Sequence, residues 1–170
     1  NNPKILNSKL LSKIKCNSIN YHDSILPKNS GVNATSWAII NGDATAGVTW
    51  HLINEQIDKG DILIQKEYPI KQQDTAYHLN SQNFNLALES LNELLAKLSS
   101  IENSIDKMVL DKKAKDNNLV KRSYNGLHKK PENFGFLNDI KDFEYAKRII
   151  RACYNGPTAA NEFCTAKLFR

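Results

Sequence analysis

Apolar residues recur along this chain at two periods. Over residues 75–99 the positions Leu79, Phe84, Leu88, Leu91, Leu95 and Leu98 return at helical spacing, with Asp74 or Thr75 available as N-cap. This pattern predicts a long helix lying against a sheet and burying Leu88, Leu91 and Leu95. Residues 46–53 (AGVTWHLI) instead alternate as a half-buried strand, and residues 61–70 (DILIQKEYPI) predict a second. The polar loop between them, residues 54–60, has turn chemistry, so the pair reads as a two-stranded excursion with a loop at its tip.

Shorter elements flank these. Residues 3–15 read as a strand end followed by a short amphipathic segment, and residues 17–21 as a short strand with Ile19 inward. Residues 22–31 (HDSILPKNSG) predict a turn, because Asp23 and Ser24 favour local backbone hydrogen bonds, Pro27 fixes φ and Gly31 permits positive φ. Residues 33–43 fit a short helix capped by Asn33 or Thr35, packed through Trp37 and Ile40 and stopped at Gly42. A polar stretch runs to about residue 139, residues 143–154 predict a second helix, and the chain closes in a turn and the start of a strand.

Composition narrows the class. With 41% hydrophobic residues in 170, the chain can build a core. No apolar run reaches the roughly 18 residues that a membrane helix needs, and no secretory signal opens the sequence. Cys16, Cys153 and Cys164 are far apart without a C-x-x-C, so neither zinc nor a disulfide framework is indicated, and an odd count suits a reducing cytoplasm. The first residue is Asn1 and the only methionine is Met108, which reads as an internal piece of a larger protein. Much of the net charge of +5 lies between Lys112 and Lys130. That run reads as a solvated linker, with contact to a polyanion such as tRNA as the alternative.

Candidate chemistry is concentrated near the N-terminus. Asn20-x-His22 projects two polar side chains to one face of a strand. Taken alone, His22 is open to three readings: a strand residue, a buried core histidine or a catalytic centre. The residues downstream, in their order, are more specific: Ser24-Ile25-Leu26-Pro27, Gly31, Trp37-Ala38-Ile39, Gly42-Asp43, Gly47-Val48-Thr49 and Ile57-Asp58-x-Gly60-Asp61. This series resembles the formyltransferases that use 10-formyltetrahydrofolate, among them methionyl-tRNA and sugar-amine formyltransferases. The likeness is strong over about residues 3–75 and weaker beyond.

The resemblance implies an α/β fold, the C-terminal half of a Rossmann-like formyltransferase domain over residues 1–103. A basic linker (104–138) and the start of a C-terminal domain (139–170) would come after it. It implies a catalytic triad at Asn20, His22 and Asp58. An amide such as Asn20 can stabilise the oxyanion formed when an amine attacks the formyl carbon. His22 can donate to that oxygen or move protons, and Asp58 can raise its basicity, orient it or order a relay water. Ser24, Leu26 and Pro27 would border the folate site. Gly31 would relieve backbone strain, His51 would be a neighbour without an essential role, and Lys28, His78 and His128 would be solvated. No metal and no NAD are implied. The expected partners are the folate donor, an amine acceptor on a carrier protein or tRNA or an amino sugar, and a complementing N-terminal segment; no membrane is implied. The acceptor pattern looks most like formyltransferase domains of peptide and polyketide synthesis, although Asp23 departs from the small or apolar residue of many relatives. Folate hydrolysis and a non-catalytic fragment are the competing readings.

Overall fold

The computed structural model describes residues 6, 8–14, 17–100, 120–138, 140–157 and 163–167. A short helix α1 (Ser8–Leu11) leads to strand β1 (Ile19–His22), then β2 (Ser30–Gly31), helix α2 (Ala34–Asn41), strands β3 (Thr45–Leu52) and β4 (Ile62–Pro69), and the long helix α3 (Ala76–Ser100). Beyond it lie β5 (Tyr124–Asn125), a 3-10 turn (Glu132–Gly135) and helix α4 (Phe143–Ala152). The strand end expected before residue 6 and the basic residues 112–119 lie outside the described residues. Among those described, no helix is long and apolar enough to cross a membrane.

Strands β1, β3 and β4 form one antiparallel sheet in that order. The register sets Asn20 against His51 and His22 against Thr49, so these four share one face. The other face packs on α3 through Leu63, Ile64 and Leu94, with Ile19, Trp50, Leu52, Leu91 and Leu98 half-buried around them. The indole N–H of Trp50 donates to Ser90 Oγ (2.9 Å), so the polar edge of that ring is satisfied inside the contact.

Helix α3 occupies the expected span, but its buried line differs from the expected one. Leu79, Asn83, Ser90 and Leu94 face inward, whereas Leu88 and Leu95 are 51% and 55% exposed, and Phe84 is exposed as well. The cause is hydrogen bonding. Asn83 accepts from Tyr68 Oη (2.8 Å) and donates to the Asp23 carbonyl (3.0 Å), and Ser90 receives Trp50. Polar residues that find buried partners can occupy the inward line, displacing the apolar stripe to the helix edge. There Phe84, Ala87, Leu88 and Leu91 line a groove of about 350 Å³ with Tyr21 and Trp50.

Helix α2 also departs in one detail. Asn33 is its N-cap residue but makes no side-chain capping bond, and Thr35 donates instead to Asn80 Oδ1 of α3 (2.9 Å). At its other end the Gly42 N–H turns back to Ala38 and Ile39, as expected of a stop. Helix α2 is buried over residues 34–40. It sits in one core with Leu79, Ala152, Phe163 and Cys164, and Ser36 donates to the Ala152 carbonyl (2.8 Å). Helix α4 begins at Asp142, whose carboxylate accepts from the Glu144 and Tyr145 N–H groups. Its burial and that of Phe163 join residues beyond 140 to the body formed by α2 and α3.

Candidate active site

Backbone geometry fixes the histidine first. His22 ends β1 and is 6% exposed. Its Nε2 lies 3.0 Å from the Asn29 carbonyl oxygen, which can only accept, so Nε2 carries the proton. In the neutral ring Nδ1 is then bare, and it faces Asp58 Oδ2 at 3.8 Å. A proton arriving at Nδ1 would therefore meet a carboxylate.

Asp58 is held by a loop that needs unusual conformations. Its φ is +51°, in the left-handed region, and its Oδ2 accepts from the Gly31 N–H at 2.7 Å. Gly31 has φ +95°, and a Cβ there would lie 2.2 Å from the Asn125 carbonyl oxygen. Two residues on from Asp58, Gly60 brings the loop so near β3 that a Cβ would meet the Leu52 carbonyl at 1.5 Å. The D-x-G-D spacing thus has a steric reason, since no larger residue fits at Gly60.

The structure draws a second histidine into the group. His51 is buried, and its Nδ1 donates to its neighbour's carbonyl, Leu52 O, at 2.8 Å. Its Nε2 is then the acceptor for Asn20 Nδ2 at 3.2 Å, and it lies 3.7 Å from Asp58 Oδ1. Asn20 thereby reaches the pair through His51, with one N–H engaged and one left to donate elsewhere. The structure sets His22 3.8 Å from Asp58 and joins Asn20 to Asp58 through His51, so the four side chains form one contact network. The antiparallel pairing of Asn20 with His51 is the signal that would have found the second histidine.

The turn after His22 is locked from within. Ser24 is buried, and its hydroxyl donates to the Lys28 carbonyl (2.7 Å). Leu26 is buried too, and the Leu26–Pro27 peptide is cis. Thr49 of β3, fully buried, donates to the Ser24 carbonyl (2.6 Å) and accepts from the Leu26 N–H (3.3 Å) and Gln65 Nε2 (2.9 Å). Asn29 donates to Asp43 Oδ2 (2.7 Å), fixing the residue whose carbonyl anchors His22. Neither Thr49 nor Gln65 stands out in the sequence as a site residue, because their partners are each other and backbone groups distant in the chain. Among the peripheral residues, His128 is exposed, His78 is 52% exposed at its side chain, and Lys28 is exposed at 4.0 Å from Asp43.

On the sheet's other face, burial, and secondarily the Asp23 carboxylate, push the Tyr21 phenol well above its usual range, and burial does the same to Tyr68. Both remain neutral and act as donors rather than bases.

Comparison with known proteins bears on the family and the fold. Residues 3–94 match the family model described as formyl transferase. Methionyl-tRNA formyltransferase of Caldanaerobacter subterraneus subsp. tengcongensis is 39% identical over 95 residues, 56% of this chain and 31% of that protein. The structure of a sugar N-formyltransferase from Shewanella sp FDAARGOS_354 superposes with a TM-score of 0.71 at 27% identity, covering 98% of this chain and 61% of that one. An N-formyltransferase from Helicobacter canadensis, solved with folinic acid and dTDP-3-aminofucose, gives a TM-score of 0.57 at 26% identity over 79% of this chain and 46% of that one. The chain spans less than half the length of the first curated relatives it matches. With a family match over more than half its residues and a mixed α/β fold shared with solved formyltransferases, the chain belongs to the formyl transferase family.

Proposed function

We propose that the protein transfers a formyl group from 10-formyltetrahydrofolate to an amine, with Asn20, His22 and Asp58 as catalytic residues. The observation that carries this reading is the placement of the His22 ring, with Nε2 3.0 Å from the Asn29 carbonyl and Nδ1 3.8 Å from Asp58 Oδ2. As the amine attacks the formyl carbon, a new C–N bond forms and negative charge builds on the formyl oxygen. The remaining N–H of Asn20 donates to that oxygen. Nδ1 of His22 accepts the proton the amine sheds, Asp58 stabilises the resulting imidazolium, and the proton passes to the folate nitrogen as its bond to carbon breaks. His51 holds the Asn20 amide in the donating orientation. Ser24, Leu26 and Pro27 act by shaping the turn that borders the donor, because the Ser24 hydroxyl is committed to the backbone and Leu26 is buried.

The acceptor class we infer is an amine on a larger carrier, an aminoacyl group or an amino sugar. The names of the relatives support it, since they act on methionyl-tRNA and on sugars. The activity is assigned to the whole protein. An N-terminal segment is proposed to complement residues 1–170 by covering the groove of Tyr21, Trp50, Phe84, Leu88 and Leu91.

The test is formyl transfer by the full natural protein from 10-formyltetrahydrofolate to three acceptors: methionyl-tRNA, a nucleotide-linked amino sugar and an aminoacyl carrier arm. Turnover with one acceptor, lowered about 100-fold or more by H22A and by D58A, is the expected result. Release of formate without any formamide product would mean that water, not an amine, is the acceptor. Residues 1–170 alone should bind a stable folate analogue at least about tenfold more weakly than the full protein in calorimetry.

A further inference from the structure

The segment that leads into β5 lies far from the site in sequence and against it in space. Its composition reads as solvated linker, yet Asn125 is 1% exposed, and residues 122–125 stitch together both loops that carry the chemistry. Ser123 accepts at Oγ from the Asn29 N–H (2.7 Å) and at its carbonyl from the Ser30 N–H (3.0 Å), and its own N–H donates to Pro27 O (3.3 Å). The Asn125 carbonyl accepts from the Val32 N–H (2.9 Å). Each of these bonds falls on the turn whose Asn29 carbonyl anchors His22. One residue before Ser123, the Arg122 guanidinium donates to the Ile57 carbonyl at 3.0 Å, on the loop immediately before Asp58. The plane of that guanidinium sits over the Tyr124 ring, 5.2 Å from its centroid, which limits where the fork can point.

We propose that Arg122 is a positioning residue for the His22–Asp58 pair, tying the loop that carries Asp58 to the turn that holds His22. The need for such a tie arises from the backbone. Asn29, Gly31 and Asp58 all stand at positive φ, and for the two non-glycine residues that conformation persists only where the surroundings enforce it. The Gly31 N–H to Asp58 Oδ2 bond already joins the two loops at one point. Arg122 on Ile57 and Ser123 on Asn29 together make a second link between the two loops, and Asp58 is held at 3.8 Å from Nδ1. The inference rests on the formyl-transfer reading above for its catalytic consequence, while the tie itself rests on the hydrogen bonds alone.

The experiment compares R122M, R122K and S123A in the full natural protein by steady-state kinetics and by the amide NMR signals of Gly31 and Asn29. A Gly31 N–H bonded to a carboxylate at 2.7 Å resonates downfield and exchanges slowly. R122M should move that signal upfield, hasten its exchange and lower kcat about 10- to 100-fold, with KM for the donor changed by less than about threefold. R122K should recover most of kcat, because one N–H suffices for Ile57 O. S123A should move the Asn29 signal and lower kcat by about three- to tenfold. The proposal is overturned if R122M leaves the Gly31 signal and kcat as they were. It is also overturned if activity falls only in step with the melting temperature while that signal stays in place. Should H22A retain full transfer while R122M still moves Gly31, the chemistry assigned to His22 would fail and the tie between Arg122 and the Asp58 loop would stand.

Discussion

The two faces of the β1–β3–β4 sheet differ in what dominates their contacts. Toward α3 an apolar cluster dominates, with Leu63, Ile64 and Leu94 closing on Trp50 and Leu52, and the Trp50–Ser90 and Tyr68–Asn83 hydrogen bonds set the helix against it. On the far face Asn20, His22, Thr49 and His51 make directed contacts to carbonyls, amides and one carboxylate. An apolar face tolerates repacking, because burial depends on area and volume. A polar face does not, because each buried donor or acceptor needs its particular partner. Stability should therefore be lost mainly through the first face and activity mainly through the second.

Leu94→Ala tests the first half of that contrast with the largest expected effect. The side chain is 2% exposed, so its truncation should cost about 3 kcal/mol in chemical denaturation, while kcat of the folded fraction stays within about twofold. A fall in kcat beyond tenfold without unfolding would show that the two faces are not separable.

Thr49→Val sharpens the second half. The change keeps the shape and leaves the Leu26 N–H, the Ser24 carbonyl and Gln65 Nε2 short of a partner. About 2 kcal/mol of stability should be lost, with kcat falling further than the stability loss explains, since the turn carrying Asn29 is freed. Retained activity in a destabilised variant would mean that the turn needs no such anchor.

Leu88→Ala probes the outer edge of α3. In residues 1–170 its side chain is half exposed, and the cost should stay below about 0.5 kcal/mol. In the full protein, where the proposed N-terminal segment covers the groove, the same substitution should cost about 2 kcal/mol. Equal small costs in both would remove the groove as the seat of that segment.

The smallest effect concerns Glu93, bridged to Lys66 (2.6 Å) and Lys97 (2.7 Å). Hydrogen bonds from Lys66 first and Lys97 second hold its carboxyl below the usual range. A depressed carboxylate adds stability above its ordinary titration range, and that stability disappears as the pH falls through the lowered value. Glu93→Gln should thus cost at most about 0.5 kcal/mol near neutral pH and nothing in strong acid, as urea melts at two pH values would show.

Legibility in the sequence divides along the same line. The strands at 45–52 and 62–69 and helix α3 were legible because period two and period 3.6 are local signals. Asn20, His22 and Asp58 could be named as candidates because their order matches a family pattern, and the structure brings His22 to 3.8 Å from Asp58. The inward line of α3 was not, since Asn83 and Ser90 look like surface residues until Tyr68 and Trp50 are placed beside them. His51 required the register that sets it against Asn20. Arg122 and Ser123, in a stretch rich in lysine and asparagine, reach partners 65 and 94 residues away, a separation that leaves no trace in local composition.

The central claim is that His22 and Asp58 act as one unit on the polar face, and a double-mutant cycle tests it most directly. In the full protein, kcat/KM for formyl transfer would be measured for the wild type, H22A, D58A and the double variant. The account predicts that the double variant is no slower than the worse single variant, within about threefold, because either change disables the same proton transfer. Losses that multiply, so that the double variant falls by the product of the two single effects, would show that the residues work independently and would contradict the account.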